Sequence, residues 1–132
     1  VGKSHLSLAI ANRGIDRGFD VYYESIHKIM DSLQKEQFSR DRVEESIADR
    51  LYESDLLVID DLGAEFSTQF TVAALYNIVN TRLNASRPMI INTNLTISEL
   101  EERYSQRVAS RIIGSSERVL LIGSDMRQKL SK

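Results

Sequence analysis

The chain has 132 residues and no cysteine, and its 17 Lys plus Arg nearly balance 19 Asp plus Glu, for a net charge of -2. That length suits a single domain burying about two-thirds of its unfolded surface, and the lack of cysteine excludes a disulfide framework and a thiolate metal site, in keeping with a reducing, cytoplasmic setting. No apolar run reaches the roughly 18 residues that cross a bilayer, so no membrane partner is expected, and the near-neutral balance confines any nucleic-acid contact to local patches.

In chain order, Lys3 to Arg17 carries Leu6, Ala9 and Ile10 at helical spacing, and Gly18 is placed to end that helix in a left-handed conformation. Gly14 weakens it by roughly 1 kcal/mol relative to alanine. Phe19 to Tyr23, short and rich in aromatic and β-branched residues, predicts a strand. Ile26 to Phe38 and Arg42 to Tyr52 each space apolar residues three or four apart among charges, as amphipathic helices packed on a sheet do.

Leu56-Leu57-Val58-Ile59 is an apolar run too short for a helix, the mark of a strand buried on both faces, and it ends at Asp60-Asp61. Phe70 to Ser86 predicts a helix, and the lone Pro88 introduces a second buried strand, Met89-Ile90-Ile91, ending in Asn92-Thr93-Asn94. Thr96 and Glu99 form a candidate capping box. The helix they open either runs to Ile113 with Gly114 as its stop or breaks near Ser105. Val119 to Ile122 is the last strand, followed by a polar tail. Helices alternating with buried strands imply a parallel sheet covered on both faces, with ligands at the carboxyl ends of the strands.

Two motifs fall at those ends. Gly2-Lys3-Ser4 matches the last three positions of G-x-x-x-x-G-K-[ST], in which backbone amides cradle phosphate, the lysine neutralises the β and γ phosphates and the serine ligates magnesium. The tripeptide by itself also suits an ordinary helix start. Asp60 after its apolar strand can hold magnesium and Asp61 can polarise an attacking water, and a carboxylate pair there is expensive unless a cation or donor meets it. Because such a loop follows a buried strand and the chain opens at Val1, the expectation is one ATPase domain over 1–132 that begins within the Walker A loop.

With these residues on the page, the sequence resembles the AAA+ ATPases of the DnaC/IstB type, bacterial helicase loaders and transposition helper ATPases. The similar stretches are 2–12, 56–65 (Leu-Leu-Val-Ile-Asp-Asp-Leu-Gly-Ala-Glu), 91–95 (Ile-Asn-Thr-Asn-Leu) and 102–112 (Glu-Arg-Tyr-Ser-Gln-Arg-Val-Ala-Ser-Arg-Ile). The resemblance implies a P-loop NTPase three-layer αβα sandwich that uses ATP and Mg2+. Asp60 matches the Walker B acid and Asp61 the water-activating position, here Asp where many relatives have Glu. Asn94 matches the sensor of the γ-phosphate, with Asn92 as the alternative.

Arg103, Arg107 and Arg111 recur every fourth residue and share a face in an unbroken helix, which is also how a solvated stripe reads. The resemblance makes Arg111 the finger reaching a neighbouring subunit's nucleotide, Arg107 its companion in the same box, and Arg103 structural. It makes Arg127 a loose match to the second sensor. His5, directly after Ser4, is grouped with the nucleotide-contacting residues and has no partner at metal-ligand spacing. The implied partners are a replicative DNA helicase, single-stranded DNA through local contacts, and further copies in an AAA+ oligomer. A transposition helper ATPase, a nucleotide-gated module with little hydrolysis and a small-molecule phosphotransferase are the rival readings, the last lacking an arginine-rich lid.

Overall fold

The computed structural model describes residues 2–38, 46–115 and 117–123. In order these form α1 (Gly2–Asp16), β1 (Val21–Ser25), α2 (Ile26–Phe38), α3 (Ile47–Glu53), β2 (Leu56–Leu62), α4 (Gln69–Asn84), β3 (Met89–Thr93), α5 (Ile97–Tyr104), α6 (Gln106–Gly114) and β4 (Val119–Ile122). Among the described residues the sheet has four strands in the order β1-β2-β3-β4, every neighbouring pair parallel. The α/β architecture expected from the alternating pattern is therefore the observed one.

Alternate residues of each buried strand serve opposite layers. Leu57, Ile59, Met89 and Ile91 face the larger core beneath α2 to α6, while Val58 and Ile90 face a smaller one with Ala11 of α1 and Ile122. This two-sided burial explains why the strands read as unbroken apolar runs.

Local signals set most element ends. Gly18 takes φ 86 after α1, the conformation for which glycine carries no Cβ penalty. Thr96 and Glu99 form the expected capping box on α5, and Thr68 with Thr71 forms another on α4. One strand boundary differs from the sequence reading. The first strand begins at Val21, where pairing with Leu56 starts, and leaves Phe19 exposed. The third helix is described from Ile47, the stretch from Arg42 lying outside the described residues. Of the two readings of the helix after Thr96, the break near Ser105 is the observed one, because a φ of 84 cannot continue a helix, and Gly114 is the last residue of α6.

Gly63 is required by both space and conformation. It has φ 105, and a Cβ there would lie 2.9 Å from Leu95 side-chain atoms. Gly63→Ala is expected to lower unfolding free energy by about 1–3 kcal/mol in a denaturant titration; a loss below about 0.5 kcal/mol would show that the turn relaxes freely.

Candidate active site

Because all strands run the same way, their carboxyl ends share one rim, and Asp60 of β2 pairs there with Ser25 of β1. Next to it on β3, Asn92 is 2% exposed and its Nδ2 donates to Asp60 Oδ1 at 3.0 Å. Ser7, fully buried on α1, donates its hydroxyl to Asn92 Oδ1 at 2.7 Å. The order of donors is dictated by chemistry: a carboxylate only accepts, so the amide must turn its NH2 to Asp60 and leave its oxygen for a hydroxyl. Ser7 stands one helical turn beyond Ser4, so this chain of two hydrogen bonds joins the helix that opens with Gly2-Lys3-Ser4 to the acid pair. Tyr23 lies close enough on β1 that burial first, and then the charge of Asp60, raises its phenol above the ordinary range.

Asp61 is set differently. The ladder between β2 and β3 is irregular between Ile59 and Leu62, and Asp61 takes φ 61. A left-handed residue other than glycine costs about 1–2 kcal/mol, which Asp bears better than most. The turn is held from both sides, with the Ala64 amide donating to the Asp61 carbonyl at 3.0 Å and the Thr93 hydroxyl donating to the Leu62 carbonyl at 2.6 Å. The bulge leaves Asp61 exposed beside the partly buried Asp60.

These groups suit nucleotide and magnesium. Gly2 to Ser4 open α1, whose first-turn amides have no partners within the helix and favour an anion, and no acidic residue stands in that turn to compete. Asp60 and Asp61 offer hard oxygens, the donors magnesium takes alongside phosphate oxygens. His5 is exposed on the same turn. The side chains of Lys3 and Ser4, and Arg127 altogether, lie outside the described residues.

The structure sets Asn92, the alternative to Asn94, against Asp60. The strand pairs as far as Thr93, so Asn92 remains in register beside the acid, while Asn94 lies past the strand end and is exposed. The arginines are separated as well. Arg107 lies over the ring of Tyr76 at 5.3 Å, and Arg111 Nη2 donates to Asn80 Oδ1 at 2.8 Å and Asn84 Oδ1 at 3.2 Å, so both rest against α4. The break at Ser105 takes Arg103 off their face and turns it to Glu65, with Nη2 3.7 Å from Oε1.

Glu65 and Tyr104 escaped the sequence reading. Glu65 is 4% exposed, and the Tyr104 hydroxyl donates to its Oε2. Burial first, and then this bond and charge, push the Tyr104 phenol far upward. The only signal was an acid at the end of the Asp-Asp-Leu-Gly-Ala-Glu run, which looks like loop polarity. Ser7 was hidden as a small polar residue in an apolar helix.

A family model described as IstB-like ATP binding protein matches residues 1–132. The chain belongs to this family. The replicative helicase loader DnaC of Escherichia coli strain K12 is 28% identical over 131 residues, which is 98% of this chain and 54% of that protein. The chain thus spans about half the length of that curated relative. A crystal structure of the DnaC helicase loader superimposes with a TM-score of 0.78 at 23% identity, over 93% of this chain and 72% of the other. AMPPCP-bound DnaA from Aquifex aeolicus gives 0.76 at 22% identity, over 98% of this chain and 42% of the other. At those identities the likeness establishes the fold, that of P-loop ATPases. In open parallel sheets ligands gather at the carboxyl ends of the strands, the rim that carries Asp60.

Proposed function

We propose that this chain is the ATPase core of a loader for a replicative DNA helicase, working as a nucleotide-driven switch. The observation that carries the reading is the hydrogen-bonded path from Ser7 through Asn92 to Asp60, which joins the phosphate-loop helix to the acid pair. Gly2, Lys3 and Ser4 hold the phosphates, with His5 at the edge of that turn, and Ser4 and Asp60 hold magnesium. Bound magnesium would neutralise charge on the β and γ oxygens. Asp61 orients water, its shorter side chain setting a low basal rate. Asn94 at the end of β3 senses the γ-phosphate, with Asn92, hydrogen-bonded to Asp60, as the alternative. Arg111 with Arg107 completes a neighbouring copy's site, and Arg127 is retained as the second sensor. Single-stranded DNA meets local patches of the assembly, whose setting is cytoplasmic.

Phosphate release by the full-length protein, with replicative helicase and single-stranded DNA present, tests this. Asp60→Asn is expected to lower the rate about a hundredfold, with Asn94→Ala following it. A parent with no nucleotide-dependent release, or one indifferent to Asp60→Asn, would overturn the assignment. The family's IstB kinship keeps a transposition helper as the second reading; stimulation by a transposase in place of a helicase would select it.

A further inference from the structure

Glu65 is a carboxylate that the loop could have left in water, yet it is almost fully buried. Burying it is costly unless both oxygens are met. Oε1 accepts from the Gly63 amide at 3.0 Å, and Oε2 accepts from the Tyr104 hydroxyl. Arg103 donates through Nε to that hydroxyl at 3.3 Å, while its Nη2 is buried, lies 3.7 Å from Glu65 Oε1 and has no hydrogen-bond partner among the described residues. A second tie runs alongside, the Ser67 hydroxyl donating to the Arg103 carbonyl at 3.4 Å.

The two ends of this cluster differ in kind. One is the turn of Gly63, two residues after left-handed Asp61. The other is the last turn of α5, where Ser105 ends one helix and caps the next. Pinning the turn alone would need only Gly63 and Glu65. Committing Tyr104 and Arg103 as well makes the turn and the helix corner share one buried charge.

We propose that Glu65 is a positioning residue for Asp61 and that, through Tyr104 and Arg103, it couples the Asp61 turn to α6, the helix that carries Arg107 and Arg111. The unpartnered Arg103 Nη2 supplies the second arrangement that coupling requires: if Oε1 leaves Gly63 for Arg103, the turn loosens as the corner tightens. The catalytic part of the inference rests on the nucleotide site proposed above; the mechanical coupling does not.

Amide hydrogen exchange on the full-length protein without nucleotide reads the coupling directly. In Glu65→Gln, amides at 61–64 are expected to exchange roughly tenfold faster, and those of Val108 and Ala109, which bond to Ser105, to accelerate as well. Phosphate release is expected to fall about tenfold in kcat with KM unchanged. Acceleration confined to 61–64, or none, overturns the coupling. A drop in kcat matched by a drop in melting temperature overturns the positioning role. If Glu65→Gln does not fold, Tyr104→Phe removes one hydroxyl and is read the same way. Arg103→Lys should restore part of what Arg103→Ala loses. If the parent protein releases no phosphate, the nucleotide reading fails, and the exchange result still decides the coupling.

Discussion

Arg111→Ala in the full-length protein is expected to cut phosphate release about a thousandfold at concentrations where copies associate, and to change it little at dilutions where they do not. The expectation follows from where the side chain rests. Its Nη2 is shared between Asn80 and Asn84 on α4, so the guanidinium is stored against its own subunit, while Nε is buried without a partner among the described residues. A side chain held by neutral amides on one edge and unsatisfied on another gives up little when a phosphate takes it over, because a hydrogen bond to an ionised acceptor is about twice as strong. The same geometry predicts a small effect on folding, within about 1 kcal/mol. Two outcomes would count against the role: a rate independent of Arg111 at every concentration, or a loss equally large in dilute monomer, which would place the arginine in its own subunit's site.

Arg82→Ala is expected to be the most damaging substitution for the fold. Arg82 is completely buried on α4, and its hydrogen-bond partners among the described residues are all neutral. Its Nη1 donates to the Leu51 carbonyl at 2.9 Å and the Ser54 hydroxyl at 3.0 Å, and its Nη2 donates to the Pro88 carbonyl at 2.9 Å. One side chain thus closes the end of α3 and the entrance to β3. Burial, then the charge of Arg87, lowers its pKa to about 10, so it stays charged at neutral pH against a desolvation cost that its three acceptors offset. Alanine leaves those acceptors unpaired around a cavity, a combined loss of about 3–5 kcal/mol. Thermal melting should fall by roughly 10 °C or more. Methionine, which refills the space without bringing charge, should recover part of that loss; equal melting of parent and alanine variants would refute the account.

The sequence made the architecture legible because two of its strands are buried on both faces, a composition few other elements share. It also located the acid pair, since charge at the end of an apolar run has little other reason to be there. What it could not locate depends on ladder lengths. Asn92 and Asn94 are equivalent in composition, and only the length of the β3 ladder sets the first in register beside Asp60 and the second past the strand end. The separation of Arg103 from Arg107 and Arg111 depends on one dihedral at Ser105, which no spacing rule contains. Glu65 is buried because Tyr104, far along the chain, supplies its donor.

The alternation along β2 carries a consequence for how this chain tolerates change. Leu57 and Ile59 fill one layer, Val58 fills the other, and the next residue is Asp60. Inserting or deleting one residue in that run would exchange the layers and carry the acid about 3.3 Å along the strand, away from Asn92. Packing and chemistry are thus read in a single frame. A chain that folds in the wrong frame loses the Asp60–Asn92 contact and its core packing at once, so selection for stability alone already guards the position of Asp60.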